Sequence, residues 1–228
     1  MDWNALATIL ATTLQVAICA TLIATPLGIA LGYVLARRRF PLKSVVEALC
    51  AVPLILPPTA IGYLLLALFA RHGPLGEATL GFDLDVLFTV RAACIASAIV
   101  ALPLVARTAR SAFEAVDPRL EAMARTLGMS TGRAFFAVTL PLARRGLLAA
   151  LVLGFGRALG EFGATVIVAG NIPGRTQTLA LAIFESIQHG EDARVRLLVG
   201  VAFVLAFSLI FVVERLSRPD ATRLDRAP

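Results

Sequence analysis

The feature that most constrains this chain is a series of long apolar runs. Residues 5–36 and 48–70 carry no charged side chain, and shorter runs of the same kind cover 92–106, 146–156 and 197–213. A helix of about 20 apolar residues spans the hydrocarbon core of a bilayer. Only 16% of the residues are charged, against roughly 25% in soluble domains. These runs therefore predict a membrane protein that crosses the bilayer several times.

We predict an all-α polytopic fold in one domain, residues 1–228, with about five transmembrane helices. The predicted spans are 10–35, 46–69, 87–106, 146–169 and 196–214. Pro53, Pro57 and Pro58 interrupt the second span. Each proline removes an N–H donor, so a kink or break is expected near residues 53–58. Such breaks occur where neighbours or water satisfy the freed carbonyls, which makes Pro57 and Pro58 candidates for a translocation path. A static packing kink is the alternative.

The distribution of Lys and Arg predicts the orientation. Segments 37–43 and 107–145 and the tail from 215 carry four, seven and four basic residues, whereas the opposite side carries five. Basic loops stay in the cytoplasm, so the amino terminus is predicted outside and the tail, 215–228, inside. The net charge of +6 is then a topology signal, and no nucleic-acid partner is expected. No cleaved signal peptide is expected, and the dispersed Cys and His residues predict no metal site.

The cytoplasmic loop 107–145 contains a predicted amphipathic helix. Asp117-Pro118 is typical of a helix start, and Gly128 of a helix end. Leu120, Met123, Ala124 and Leu127 recur at helical spacing on one side. A second short helix is predicted over residues 131–138. The apolar side of the first helix must dock onto something, either a partner protein, the bilayer or the chain's own spans.

This loop resembles the signature of the permease subunits of binding-protein-dependent ABC importers, which reads Glu-Ala-Ala, three residues, Gly, nine residues, Ile-x-Leu-Pro. Gly128 is followed by nine residues and then by Val138-Thr139-Leu140-Pro141, although Glu121 lies one position early and Met123 replaces an alanine. The resemblance implies a coupling helix seated in a groove of a separate ATPase subunit. The implied coupling residues are Glu121, Ala122, Met123, Ala124, Arg125, Leu127, Gly128, Leu140 and Pro141.

The chain also resembles the molybdate permease branch, whose close relatives transport sulfate and tungstate. The resembling stretches are "FPLKSVVEAL" at 40–49, "PLILPPTAIGYLLL" at 53–66, "LEAMARTLG" at 120–128, "RALGEFGAT" at 157–165 and "NIPGRTQT" at 171–178. This implies the type I ABC importer fold and a molybdate importer of the bacterial inner membrane, with a sulfate or tungstate permease as the alternative. The implied partners are a second copy of the chain, two ATP-binding cassette subunits, a periplasmic or lipid-anchored molybdate-binding protein and membrane lipid.

The sequence favours a transport subunit over an enzyme. Lys43 is the only lysine and lies outside any phosphate-binding glycine loop, so ATP and Mg are expected on the partner ATPase, with no cofactor in this chain. Both histidines lie outside the predicted spans, and no aspartate lies within one. An intramembrane protease needs such groups within mutual reach, so no catalytic residue is predicted. A passive channel or membrane anchor would not explain the coupling helix.

Arg157 and Glu161 are two charges inside the predicted span 146–169. In a continuous helix Arg157 would lie near the bilayer centre, where an unpaired charge is costly, and Glu161, one turn further on, would neutralise it. The order Arg then Glu is unfavourable for the dipole of such a helix, so a role in helix stability is not expected. Two hypotheses remain: Arg157 contacts the transported oxyanion, or the pair fixes or switches helix packing, which is favoured. Thr165 lies on the same polar side, and Gly156, Gly160 and Ala164 form a predicted row for helix packing.

Overall fold

The computed structural model describes residues 3–217, so the predicted tail beyond Ser217 lies outside the described residues. Every regular element in this part of the chain is helical. The helices are α1 (Trp3–Arg37), α2 (Lys43–Ile55), α3 (Pro58–Phe69), α4 (Glu77–Leu80), α5 (Val90–Glu114), α6 (Pro118–Thr126), α7 (Thr131–Ala134), α8 (Leu140–Leu159), α9 (Gly163–Val168), α10 (Leu179–Gln188) and α11 (Asp192–Ser217). The all-α prediction is confirmed.

Among the described residues, four helical segments are long and apolar enough to cross a membrane: α1, α5, residues 131–159 and the part of α11 up to Phe211. The pair α2–α3 makes a fifth if it counts as one span, although the direction of the chain bends by 107° between the two helices. The break between them falls at Leu56–Pro57, inside the predicted window, and Pro58 opens α3. A proline at the first helical position loses no internal hydrogen bond, so the chain restarts its helix there.

The bundle is built around α5, which packs against both α1 and α8, and these two helices also contact each other. The layer where these three helices meet is mostly alanine: Ala17, Ala20, Ala24, Ala98, Ala101 and Ala158. In a bilayer no water drives apolar helices together, so small side chains that allow close backbone approach provide the packing. Short α10 packs against α11 and also contacts α1.

The helices on both sides of the predicted loop 107–145 extend into it. α5 continues past residue 106, the predicted end of its span, to Glu114. The predicted separate helix over residues 131–138 is wrong, because α7 passes through a π-helical turn, Phe135–Thr139, directly into α8. The Leu140 N–H donates to the carbonyl of Phe135 in this turn. Pro141 lacks an N–H and crowds the carbonyl four residues back, and the wider π turn accommodates it.

The predicted continuous span 146–169 is also wrong. α8 ends at Leu159, residues 160–162 are not helical, and α9 is a single short helix from Gly163 to Val168. Arg157 therefore lies in the last turn of α8 rather than in the middle of a long helix.

Candidate functional site

The break between α8 and α9 is held by the predicted ion pair. The Arg157 Nη1 atom donates to Glu161 Oε2 over 2.7 Å, which confirms that the two residues pair. The other carboxylate oxygen, Oε1, accepts the backbone N–H of Ala164 over 2.8 Å. The Glu161 side chain is 1% exposed, while that of Arg157 is 30% exposed. Both oxygens of the buried carboxylate are thus occupied.

The position of the pair reverses the expectation from the helix dipole. A helix carries partial positive charge at its amino end and partial negative charge at its carboxyl end. Arg157 lies at the carboxyl end of α8 and Glu161 just before the amino end of α9. Each charge is therefore favourable for the helix end beside it. The expectation that the pair has no part in helix stability assumed a continuous helix and is wrong.

The α2–α3 break lies against the α8–α9 break. A Cβ atom placed on Gly163 would lie 2.9 Å from Cβ of Pro58. One turn along α3, a Cβ on Gly62 would lie 2.8 Å from the carbonyl oxygen of Ala164 and 2.9 Å from Cβ of Ile167. The two interrupted segments, residues 56–62 and 157–167, thus form one packed unit, which we call the paired break. Interrupted helices are tolerated at membrane depth where protein packing or a water-filled cavity satisfies the backbone.

The remaining residues predicted near this site have different surroundings. Pro57 is exposed, whereas Thr165 is buried and its hydroxyl donates to the carbonyl of Phe162 over 2.8 Å. The predicted row of Gly156, Gly160 and Ala164 is not one face, because α8 ends at Leu159 and Gly160 is its cap residue. A Cβ placed on Gly156 would lie 3.5 Å from the side chain of Leu209 in α11, whereas Ala164 lies against Gly62 of α3. The predicted packing row is wrong because it requires one continuous helix through residues 156–164.

The second site is α6, whose predicted ends are confirmed. Asp117 Oδ1 accepts the N–H of Arg119 over 2.9 Å and so caps the amino end. Gly128 has φ 88°, a left-handed conformation that favours glycine. The N–H groups of Gly128 and Met129 donate to the carbonyls of Arg125 and Ala124. These two bonds form the Schellman motif, which ends the helix at the predicted residue.

α6 presents an apolar face to its surroundings. Leu120, Met123 and Leu127 are 43%, 61% and 83% exposed. Ala124, predicted on the same side, instead points into the protein and is 6% exposed. Ala122 and Arg125 are exposed as well. An exposed apolar face on a short helix outside the spans is a feature of docking surfaces. We call Leu120, Met123 and Leu127 the outer face of α6.

The inner side of α6 is attached to the base of α8. The Thr139 hydroxyl donates to Glu121 Oε2 over 2.8 Å. Thr139 is fully buried and is the last residue of the π turn. Leu140 is half-buried and packs with the cluster around Ala143 and Leu147, while Pro141 is exposed. Leu140 and Pro141 thus lie at the start of α8 and not on the outer face of α6.

Aromatic rings anchor this base within the bundle. The Phe135 ring in the π turn lies 4.9 Å from the Tyr33 ring of α1 and 6.2 Å from the Phe113 ring of α5, measured between ring centres. Tyr33 and Phe113 meet edge to face at 5.3 Å. Nearby, Arg37 Nη2 donates to the carbonyl of Val116 over 2.9 Å, just before α6 begins. The residues on both sides of α6 are therefore held by the bundle.

Two residues of these sites carried weak or no signal in the sequence. Gly62 lies within an apolar helical stretch, where a glycine can mark close approach of another backbone. Thr139 occupies the variable position of the Ile-x-Leu-Pro pattern, and its partner Glu121 is 18 residues away. Within residues 3–217, no group of three or more His, Cys, Asp and Glu side chains is placed to hold a metal ion.

Comparison with known proteins gives consistent relatives. The sequence matches the family described as "Binding-protein-dependent transport system inner membrane component" over residues 24–218. It is 43% identical to the molybdenum transport system permease protein ModB of Haemophilus influenzae, covering 90% of this chain and 91% of that protein. It is 33% identical to the sulfate transport system permease protein CysT of Escherichia coli K12, covering 90% of this chain and 74% of that protein.

A solved structure supports the fold. The chain superimposes on a chain of the MetNI methionine ABC transporter, in an inward-facing conformation, with a TM-score of 0.72 at 16% identity, covering 96% of this chain and 98% of that one. At this identity the likeness concerns the fold alone, and it confirms the predicted ABC importer permease fold. The match over residues 24–218 and the 43% identical relative identify the family as well as the fold. The chain belongs to the family of binding-protein-dependent transport system inner membrane components.

Proposed function

We propose that this chain is the transmembrane subunit of an ATP-driven importer of molybdate. The 43% identity with a molybdenum transport permease, against 33% with a sulfate permease, supports the choice of substrate. The two oxyanions share shape and charge, so a sulfate or tungstate permease is the second candidate. Its support is that sulfate permeases also match along 90% of this chain.

The observation that carries the coupling role is the outer face of α6. Leu120, Met123 and Leu127 are exposed on a helix whose other side is bonded to the base of a membrane span. In our proposal this face seats in a groove of an ATP-binding cassette subunit, which binds ATP and Mg. Arg119, Arg125 and Arg133 are exposed around it, and we expect acidic side chains at the rim of that groove.

The other proposed partners follow from exposure and charge. Apolar Leu49 and Ile55 of α2 are 65% and 84% exposed, and a second copy of the chain, together with lipid, would cover them. Because basic residues are in excess beside α6, we propose that this side faces the cytoplasm and that the amino terminus lies outside. A periplasmic or lipid-anchored molybdate-binding protein would deliver the anion to the outer side of the bacterial inner membrane.

We assign the paired break to the translocation path or its gate. Glu161 already neutralises Arg157 and has both oxygens engaged. A neutralised pair attracts an anion weakly, so its favoured role is to fix or switch the packing of α8, α9 and α3 between transport states. Direct contact between Arg157 and the oxyanion is the alternative, which the 30% exposure of its side chain allows.

The test of the coupling role is assembly and uptake in proteoliposomes that contain the chain, its ATPase and its binding protein. We expect ATP-dependent accumulation of molybdate. The double substitution Met123→Ala with Leu127→Ala should weaken ATPase binding about tenfold or more, as loss of central interface side chains does. Leu148→Ala is the matched control, because Leu148 is 48% exposed on a membrane span. Equal ATPase binding by both variants would contradict the proposed docking surface.

The same vesicles test the substrate. Excess molybdate should abolish uptake of labelled sulfate or tungstate if molybdate is the preferred anion. Sulfate uptake that excess molybdate leaves unchanged would identify a sulfate permease instead. Accumulation that does not require ATP would contradict the importer itself.

A further inference from the structure

We infer that Glu121 is a positioning residue that transmits movement of α6 to α8 through its bond to Thr139, and that it does not contact the ATPase. This inference rests on the proposed coupling function and adds the route by which the movement enters the membrane. The signature glutamate of the family motif lies one position early here, at Glu121, and its contacts in this chain define its role.

The Glu121 side chain points to the inner side of α6. Glu121 and Ala124 are three residues apart and share the inner side of α6, because residues at this spacing lie on one helix face. Glu121 is half-buried and Ala124 is buried. Leu120, Met123 and Leu127 lie on the outer face. A partner seated on the outer face would therefore meet these apolar side chains, with Glu121 behind them.

α6 is attached to the segment that leads into α8. Its largest contacts are with α7 and the π turn, both of which lead directly into α8. Towards the end of α1, by contrast, α6 borders an open cavity of about 410 Å³ lined by Tyr33, Arg37, Arg38, Glu121 and Arg125, among others. A force on α6 thus meets packed protein on the side of α8 and open space on the side of α1.

The bond between Thr139 and Glu121 joins a buried hydroxyl to a carboxylate. Hydrogen bonds to a charged group are stronger than neutral ones, and Thr139 is fully buried. If the bond breaks, the Thr139 hydroxyl loses a partner in a place where replacement by water is hindered. The bond therefore resists separation of α6 from the π turn. From Thr139 the rigid α8 runs 20 residues to Leu159, beside the paired break.

The test measures transport and ATP hydrolysis together in the assembled complex. We expect Glu121→Ala and Thr139→Val each to lower the number of molybdate ions imported per ATP hydrolysed about tenfold, the scale set by loss of a charged hydrogen bond. ATPase binding should stay unchanged in both. The double variant should be no worse than either single variant, because both remove the same interaction. Thr139→Ser, which keeps the hydroxyl, should retain more coupling than Thr139→Val.

Three results would overturn the inference. Normal coupling in Glu121→Ala would show that the bond is dispensable. Weaker ATPase binding in Glu121→Ala but not in Thr139→Val would place Glu121 at the interface. Additive losses in the double variant would show independent roles. If Thr139→Val fails to fold, Glu121→Ala on the outlying helix still decides the matter. Failure of the wild-type complex to bind an ATPase or import molybdate would instead refute the proposed function.

Discussion

Charged side chains lie at helix ends both in α6 and in the paired break, but their environments are opposite. Asp117 caps α6 from an exposed position, and the arginines around α6 are exposed. At the paired break, Glu161 is 1% exposed, and its two oxygens bind Arg157 and the N–H of Ala164. Water satisfies a charge at the first site, whereas protein groups must do so at the second. The comparison predicts that substitutions lower the stability of the protein strongly at the break and weakly around α6.

The largest effect is expected for Arg157→Gln. This change leaves the buried Glu161 carboxylate without its counter-charge, and breaking one partner of a buried pair costs about 3–5 kcal/mol. We expect a large loss of stability, measured by unfolding in mixed micelles, together with loss of uptake in vesicles.

The double variant Arg157→Gln with Glu161→Gln separates the two hypotheses for this pair. A glutamine at 161 removes the buried charge and keeps an oxygen that can accept the Ala164 N–H. Recovery of assembly and of part of the uptake would support a structural or switching pair. Recovered stability with substrate-dependent steps still absent would favour contact between Arg157 and the oxyanion.

A smaller effect is expected for Gly62→Ala at the contact between α3 and α9. The added Cβ would lie 2.8 Å from the carbonyl oxygen of Ala164, so the two segments must separate. Overpacking of this kind costs about 1–3 kcal/mol. Gly200→Ala on α11 is the matched control, since a Cβ there meets no atom within 4 Å among the described residues. Equal stability of the two variants would show that the breaks do not need this close contact.

Gly128→Ala should have an effect of about 1 kcal/mol, because an alanine at φ 88° is strained. We expect the carboxyl end of α6 to fray and ATPase binding to weaken several-fold, with the stability of the bundle unchanged. Gly132→Ala is the control, as Gly132 lies in α7 with open space around it and no such backbone conformation. A loss of bundle stability in Gly128→Ala would contradict the separation of the two regions.

The smallest effect on stability is expected for Glu47→Gln. This change removes one charge of a partly exposed Arg–Glu pair, which can be compared with the buried pair of Arg157 and Glu161. Arg110 Nη1 lies 2.9 Å from Glu47 Oε1, with both side chains about one-third exposed, and Arg110 also pairs with Glu114. Partly exposed pairs contribute at most about 1 kcal/mol and weaken in salt. A change in the free energy of unfolding as large as that of Arg157→Gln would break the comparison between exposed and buried charges.

The features that the sequence predicts correctly depend on residues that are close together in the chain. Apolar runs located the spans, the prolines located the α2–α3 break, and Asp117 and Gly128 located the ends of α6. The partner of Arg157 followed from a spacing of four residues. The α8–α9 break had no proline to mark it, and glycines such as Gly160 are common in unbroken membrane helices. The extension of α7 into α8 was missed because Pro141 is accommodated by a π turn instead of breaking the helix.

The sequence by itself determined which segments are helical and apolar, where α6 begins and ends, and that Arg157 and Glu161 are within reach of each other. These properties depend on neighbours a few residues apart. Only the tertiary structure decided that the two breaks lie against each other, since Pro58 and Gly163 are brought together by packing between helices distant in the chain. It also decided that Glu121 faces Thr139 while Leu127 faces outward. A helical repeat defines a face, but what covers that face depends on the rest of the fold.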